Sequence, residues 1–201
     1  MYLPPVFRED SIEVLHAMMR EHPLATLVTL DADGIVANHI PLLVDAEPLP
    51  YGTLLGHVAR ANPVWRDFST EVPALAIFSG PEHYISPSWY PAKQEHGRVV
   101  PTWNYAAVHA YGRLEVHEDP EWLRNLVTRL TATHEAQFEQ PWAVAGAPSD
   151  YVDGLLTAIV GIEMRIERIE GKWKMGQNRS PADRRGAVAG LMQVRPDSHK
   201  E

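Results

Sequence analysis

Residues 24–44, LATLVTLDADGIVANHIPLLV, decide the fold class. Leu24 to Leu30 is one run of aliphatic and β-branched side chains, and Ile35 to Val44 is a second. Asp31-Ala32-Asp33-Gly34 stands between them. Aspartates bond amides just downstream, and glycine reaches positive φ, so the chain predicts a turn and an antiparallel hairpin. Working outward, Gly52 to Ala59 reads as a third strand and Val72 to Gly80 as a fourth. In residues 106–118, Val108, Ala110, Gly112, Leu114 and Val116 share one face, while His109, Tyr111, Arg113, Glu115 and His117 share the other. That period of two is a strand with one face in the core. VGIEMRIERI, residues 160–169, repeats it, with Ile162, Met164 and Ile166 opposite Glu163, Arg165 and Glu167.

Helices fall between and after these strands. Asp10 with Glu13 makes a capping box, and Ile12, Leu15, Met18 and Met19 follow at helical spacing until Pro23. Asn62-Pro63 starts a short helix. Asp119-Pro120-Glu121 opens a longer one with an apolar stripe of Trp122, Leu126, Val127 and Leu130. A loop over 141–148 leads to a short helix from Ser149, and Ser180 with Asp183 is a second capping box before a terminal helix. Consecutive strands with inserted helices predict a mainly β chain with peripheral helices (α+β), a small antiparallel barrel rather than a parallel α/β sheet. One domain over 1–191 and a frayed tail over 192–201 are expected.

Composition narrows the function classes. The 201 residues carry a formal net charge of −8. That argues against an electrostatic grip on nucleic acid, and with no helix-turn-helix apparent, direct DNA binding is not expected. Lys172, Lys174, Arg179, Arg184 and Arg185 are the one candidate basic patch. Cysteine is absent, which excludes disulfides, thiolate catalysis and Cys-based metal sites. MYLPPVFRED has neither the basic nor the apolar region of a signal peptide, and no apolar run approaches a membrane span, so a cytoplasmic protein is expected. GxSxG, HExxH, Walker A and GxGxxG are missing, and no histidines pair at i, i+4 on a helix. Neither a metal site nor catalysis by side chains alone is expected.

What remains is aromatic and polar. Residues 83–105, HYISPSWYPAKQEHGRVVPTWNY, set Tyr84, Trp89, Tyr90, Trp103 and Tyr105 around Pro87, Pro91 and Pro101. Rigid rings on a proline-braced loop suit a flat ligand, a partner subunit, or a cap on the core. Asn38-His39-Ile40-Pro41 puts proline on a strand, which implies an edge or bulge with free backbone groups. In His57 to Pro63, Arg60 stands before a helix N-terminus; this is either a phosphate site or a surface arginine beside a cap. Lys172 to Ser180 gathers Trp173 and several donors ahead of a capped helix.

HVARANPVW, YISPSWYP, VPTWNY and KWKMGQNRSPADRRGAVAGL, with MYLPPVF and NHIPLLV, resemble the signature blocks of the PaiB family of FMN-binding negative transcriptional regulators. The resemblance runs from Met1 to about Leu191. It implies an antiparallel split β-barrel of the FMN-binding type, related to pyridoxamine-phosphate-oxidase-like flavoproteins. It also implies a homodimer with flavin between the subunits. By the same resemblance Asn38, His39, Ile40 and Pro41 border the isoalloxazine, and Arg60 and Asn62, helped by His57, hold the phosphate. Trp103, Asn104 and Tyr105 wall the ring or approach from the partner, and Lys174, Gln177, Asn178 and Arg179 close the pocket. A flavin-dependent oxidoreductase is the alternative function. A haem-binding barrel, with His39, His57 or His109 as axial ligand, is a further one.

Overall fold

Why the hairpin forms is visible at its turn. In this computed structural model, which describes residues 1–194, Asp31 Oδ1 accepts from the amides of Asp33 at 2.8 Å and Gly34 at 2.9 Å. Gly34 has φ of 131°. Strand β1 is Arg8–Glu9, and β2 (Leu24–Leu30) pairs antiparallel with β3 (Ile35–Pro41), Leu24 opposite Pro41 and Leu30 opposite Ile35. The second run does not continue unbroken to Val44. It stops at Pro41, the Leu42 amide bonds the Pro23 carbonyl at 2.9 Å, and β4 (Leu43–Asp45) turns to a new partner, β5 (Thr53–Ala59). Proline cannot donate to a ladder, so the change of partner falls where it sits.

Three longer strands complete the sheet: β6 (Ala74–Ile85), β7 (Thr102–His117) and β8 (Ile159–Lys174). The hydrogen-bonded order is β3-β2-β6-β7-β8-β5-β4, with β1 on β8, and the pairs β1–β8, β2–β3, β2–β6, β4–β5 and β5–β8 are antiparallel. The mainly β, antiparallel expectation therefore holds. Strand β6 runs past Gly80 to Ile85, since β2 pairs it only at Leu75, Ala76 and Ile77 and Pro81 lies beyond that ladder. The aromatic stretch 83–105 is thus strand at both ends. Between them lie a 3₁₀ turn, Pro87–Trp89, and a short helix α2 (Ala92–Glu95).

Helix ends correct the sequence reading in detail. α1 (Ile12–Glu21) is capped by Ser11, whose Oγ accepts from Val14 N at 3.4 Å, one residue after the predicted Asp10. α3 (Pro120–Glu135) starts as predicted, Asp119 accepting from the amides of Glu121 and Trp122. It buries Leu123, Leu126 and Leu130, while Trp122 and Val127 pack beside them partly exposed. Removing that cap by Asp119→Ala is expected to cost about 1 kcal/mol, read as a lower urea midpoint at unchanged slope. α4 is Ser149–Leu156 and α5 is Pro181–Val194. Ser180 Oγ caps Asp183 N at 3.1 Å, but the Asp183 carboxylate accepts from Ala92 N at 3.2 Å instead of closing the box. Residues 192–194, expected in the frayed tail, are the end of α5, and residues 195–201 lie outside the described residues.

Two compact units emerge. The first is Met1–Leu15, Ser79–Val108 and the chain from Glu170 onward. Its core gathers Ile85, Tyr90 and Ala187 with Trp89 and Val99, and Gly190 of α5 lies so close to the Trp89 ring that a Cβ there would collide with it. The second unit is His16–Phe78 and His109–Ile169. Leu27, Leu54, Phe78 and Val160 are fully buried in it, and so are Ile162 and Met164, on the face that the alternation predicted.

Candidate functional site

In the second unit a cleft of about 320 Å³ is lined by Asn38, His39, Ile40 and Pro41 of β3, His57, Val58 and Ala59 of β5, and Asn62 and Ile159. Its polarity is set from the backbone. The 3₁₀ turn Pro63–Trp65 follows Asn62, and Val64 N–H donates to Asn62 Oδ1 at 3.0 Å. The other face of that amide, Asn62 Nδ2, donates to Asn38 Oδ1 at 2.8 Å. Asn38 Nδ2 is then left as a buried donor without a partner among the described residues. An orphaned donor of this kind costs about 1–3 kcal/mol, so a ligand acceptor has a large incentive to meet it.

His57 Nδ1 is likewise buried and unpartnered. Burial lowers the pKa of this imidazole below its ordinary 6.5, which keeps it neutral at pH 7. Its ring also walls a neighbouring apolar recess of about 330 Å³, where Trp142, Tyr151 and Leu155 are exposed. His39, by contrast, is exposed, with Nδ1 at 3.2 Å from Thr26 Oγ1. Ile40 is buried beneath the cleft.

Arg60 does not line the cleft. Its Nε donates to Thr157 O at 2.8 Å, Nη2 to Ile159 O at 3.2 Å, and Nη1 pairs with the exposed Glu118 carboxylate. Trp65 Nε1 donates to the Arg60 carbonyl at 3.0 Å. These contacts tie the end of β5 to the start of β8.

The remaining predicted residues belong to the first unit. Trp103 and Tyr105 share one face of β7 and line a recess of about 450 Å³ with Ser79, Gly80 and Glu82. Tyr84 meets Trp103 edge-on at 5.9 Å and 73°. Lys172 and Lys174 hold their ammonium groups 5.2 and 6.0 Å from the Tyr105 ring. Lys172 is only 8% exposed, donates to the Tyr2 carbonyl at 3.1 Å, and makes no ion pair among the described residues. Lys174 donates to the Thr102 hydroxyl and the Trp103 carbonyl. Burial lowers its pKa, Lys172 and Arg179 add to that, and Tyr105 opposes it.

Asn104 and Arg179 line a different recess of the first unit. Gln177 is turned onto its own turn, Nε2 donating to Trp173 O at 2.6 Å and Oε1 accepting from Met175 N at 2.8 Å. Asn178 is exposed. The candidate basic patch is divided, because Lys172 is buried. Sequence reasoning missed the Asn62–Asn38 relay and the approach of both Lys172 and Lys174 to the Tyr105 ring. Lys172 and Lys174, two apart on a strand, were the available signal for the second.

The mostly antiparallel sheet with its peripheral helices is a split-barrel fold. The family described as "Putative FMN-binding domain" matches residues 1–168, and the chain belongs to it. It is 33% identical to the Protease synthase and sporulation protein PAI 2 of Bacillus subtilis, across 91% of this chain and 85% of that protein. It is 34% identical to an uncharacterized protein of Emericella nidulans, across 100% of this chain and 94% of that protein. Among solved structures, the flavocytochrome Anf3 of Azotobacter vinelandii superposes with a TM-score of 0.57 at 14% identity, covering 85% of this chain and 70% of that one. The last likeness shows the fold. FMN is the cofactor of the family, and the orphaned Asn38 and His57 nitrogens over buried Ile40 fit a ligand rich in acceptors.

Proposed function

We propose that the chain is a homodimeric, FMN-binding negative regulator of transcription of the PaiB type, with residues 1–191 acting as one FMN-binding domain in the cytoplasm. The observation that carries the cofactor reading is the relay from Val64 N–H through Asn62 to the unsatisfied Asn38 Nδ2. When bound, FMN supplies one- and two-electron redox chemistry. Asn38 donates to it, neutral His57 offers a second ring nitrogen, and Ile40 and Pro41 exclude water from one side. Arg60 contributes by holding the β5 end in place, with two guanidinium N–H groups left over for a phosphate. Trp103, Asn104, Tyr105, Lys174, Gln177, Asn178 and Arg179 are assigned to the cofactor by resemblance. The half-exposed Trp103 and Tyr84 support a subunit contact, since such pairs are enriched at interfaces. The regulatory role rests on the resemblance to the PaiB blocks, and the Bacillus subtilis relative is named for protease synthesis and sporulation. The acidic chain favours regulation through a protein partner or metabolite over direct DNA contact.

The test is an FMN titration followed by flavin fluorescence, with the oligomeric state read by sedimentation. Saturable binding at micromolar protein and a dimer mass are expected, and a linear, unsaturable signal overturns the cofactor reading. His57 adds a pH signature. The unfolded imidazole takes its proton near 6.5 and the folded one only at lower pH. In that window the unfolded state binds more protons, so stability rises with pH and is lost as pH falls below 6.5. The urea midpoint should therefore drop from pH 7 to pH 5.5 more in the wild type than in His57→Gln, and equal drops would remove His57 as the cause.

A further inference from the structure

Helices α3 and α4 leave an unfilled recess of about 330 Å³ within the second unit. Its floor is apolar, with Val144, Val152 and Leu156 buried in one cluster with Leu123 of α3. Its rim is apolar too: Trp142, Tyr151 and Leu155 are between 52% and 61% exposed. Apolar side chains left in water around a concave mouth carry a hydration cost that a guest removes. The rim is also held in place. Trp142 N–H donates to the Glu135 carboxylate at 2.8 Å, and Arg124 of α3 pairs with Asp153 of α4.

Charge decides what can enter. Every charged residue of α3 and α4 stands outside the lining of the recess. His57, which with Ile159 also borders the cleft around Asn38 and Asn62, is neutral at pH 7. An ion moved into such surroundings loses its hydration and gains no partner. A phosphate or carboxylate guest is therefore disfavoured, which separates this recess in chemistry from a site for a phosphorylated cofactor. One polar group is unspent. The hydroxyls of Thr128 and Thr133 bond back to the carbonyls of Arg124 and Arg129, at 2.7 and 2.9 Å. Thr131 lies between them on the helix and lines the recess, and its hydroxyl makes no hydrogen bond among the described residues. Since a hydroxyl both donates and accepts, a guest hydroxyl can meet it in either sense.

We propose that this recess is a second ligand site, for a small neutral phenol or alcohol: an aromatic or branched aliphatic body packed against Trp142, Tyr151 and Leu155, with its hydroxyl on Thr131. The volume lies at the low end of the range of about 300–1,000 Å³ typical of small-molecule sites, which favours a single-ring guest. Flavin is not needed for such a guest to bind.

The test uses the full chain without flavin. The probes para-ethylphenol, ethylbenzene and para-ethylbenzoate share one body and differ in head group. Each is titrated by calorimetry, and FMN affinity is measured separately for every variant. The phenol should saturate, ethylbenzene should bind about threefold or more weaker, and para-ethylbenzoate about tenfold or more weaker. Thr131→Val should remove the advantage of the phenol over ethylbenzene. Leu155→Trp, at an exposed position of α4, should fill the mouth and weaken the phenol about tenfold or more, with FMN affinity unchanged. Binding of para-ethylbenzoate as tight as that of the phenol overturns the proposal. So does an unsaturable phenol titration, or a Leu155→Trp variant within about twofold of the wild type. FMN weakened in parallel with the phenol by Leu155→Trp also overturns it, because the recess would then be part of the cofactor site. Should Leu155→Trp fail to fold, Thr131→Val decides, and a phenol preference that survives it overturns the proposal.

Discussion

Asn62→Asp is expected to lower FMN affinity about a hundredfold while leaving the fold intact. The substitution keeps an oxygen where Val64 N–H donates, so the 3₁₀ turn stays capped. The other half of the side chain changes from donor to acceptor and faces Asn38 Oδ1, at 2.8 Å in the native protein. Two acceptors at that distance repel, and the Asn38 amide flips to donate to the introduced carboxylate. The nitrogen that was orphaned in the cleft is then consumed internally, and an oxygen is presented in its place. A negative charge is also added beside a site meant for a phosphorylated ligand. Flavin fluorescence titration reads the first effect, and an unchanged urea midpoint confirms the second. Affinity within about threefold of wild type would mean that Asn38 does not touch the cofactor.

Phe78→Ala carries the largest expected stability loss, about 3–5 kcal/mol. Phe78 is at 0% exposure on β6, so its ring can leave only a cavity or a collapse. Domains are stable by about 5–15 kcal/mol, and the variant should therefore unfold at far lower urea than the wild type. Phe78→Leu, which restores most of the volume, should recover more than half of the loss. Similar midpoints for the alanine and leucine variants would contradict the close packing of this position.

Much of the fold was legible because its signals are local. The Asp31–Gly34 turn is made by side chains that bond the next few amides, and the burial of Ile162, Met164 and Ile166 follows from a period of two. The break at Leu42 was not legible, because the hydrophobic run continues while the partner strand changes, and pairing is a nonlocal property. Strand β6 ran on through Pro81 for a similar reason: whether proline spoils a ladder depends on what lies opposite. Asp10 and Ser11 are both good caps, and only the path of the chain chooses Ser11.

The site divides in the same way. Asn38 to Pro41, His57 and Asn62 do meet in one cleft. Arg60 was read correctly as a cation at a strand end. Its hydrogen bond to Thr157 O, 97 residues away in the chain, has no trace in the neighbouring sequence. The identity of the cofactor came from motif resemblance and family membership, because neither period nor charge distinguishes FMN from another flat, acceptor-rich molecule.

His57 has a consequence of its own through its place as a party wall. The imidazole and Ile159 border both the cleft that holds Asn38 and Asn62 and the apolar recess edged by Trp142 and Tyr151. A guest on one side that turns the ring, or claims its free nitrogen, alters the surface offered on the other. Thermodynamics makes that influence mutual, so whatever strengthens or weakens the first guest is returned in equal measure by the second.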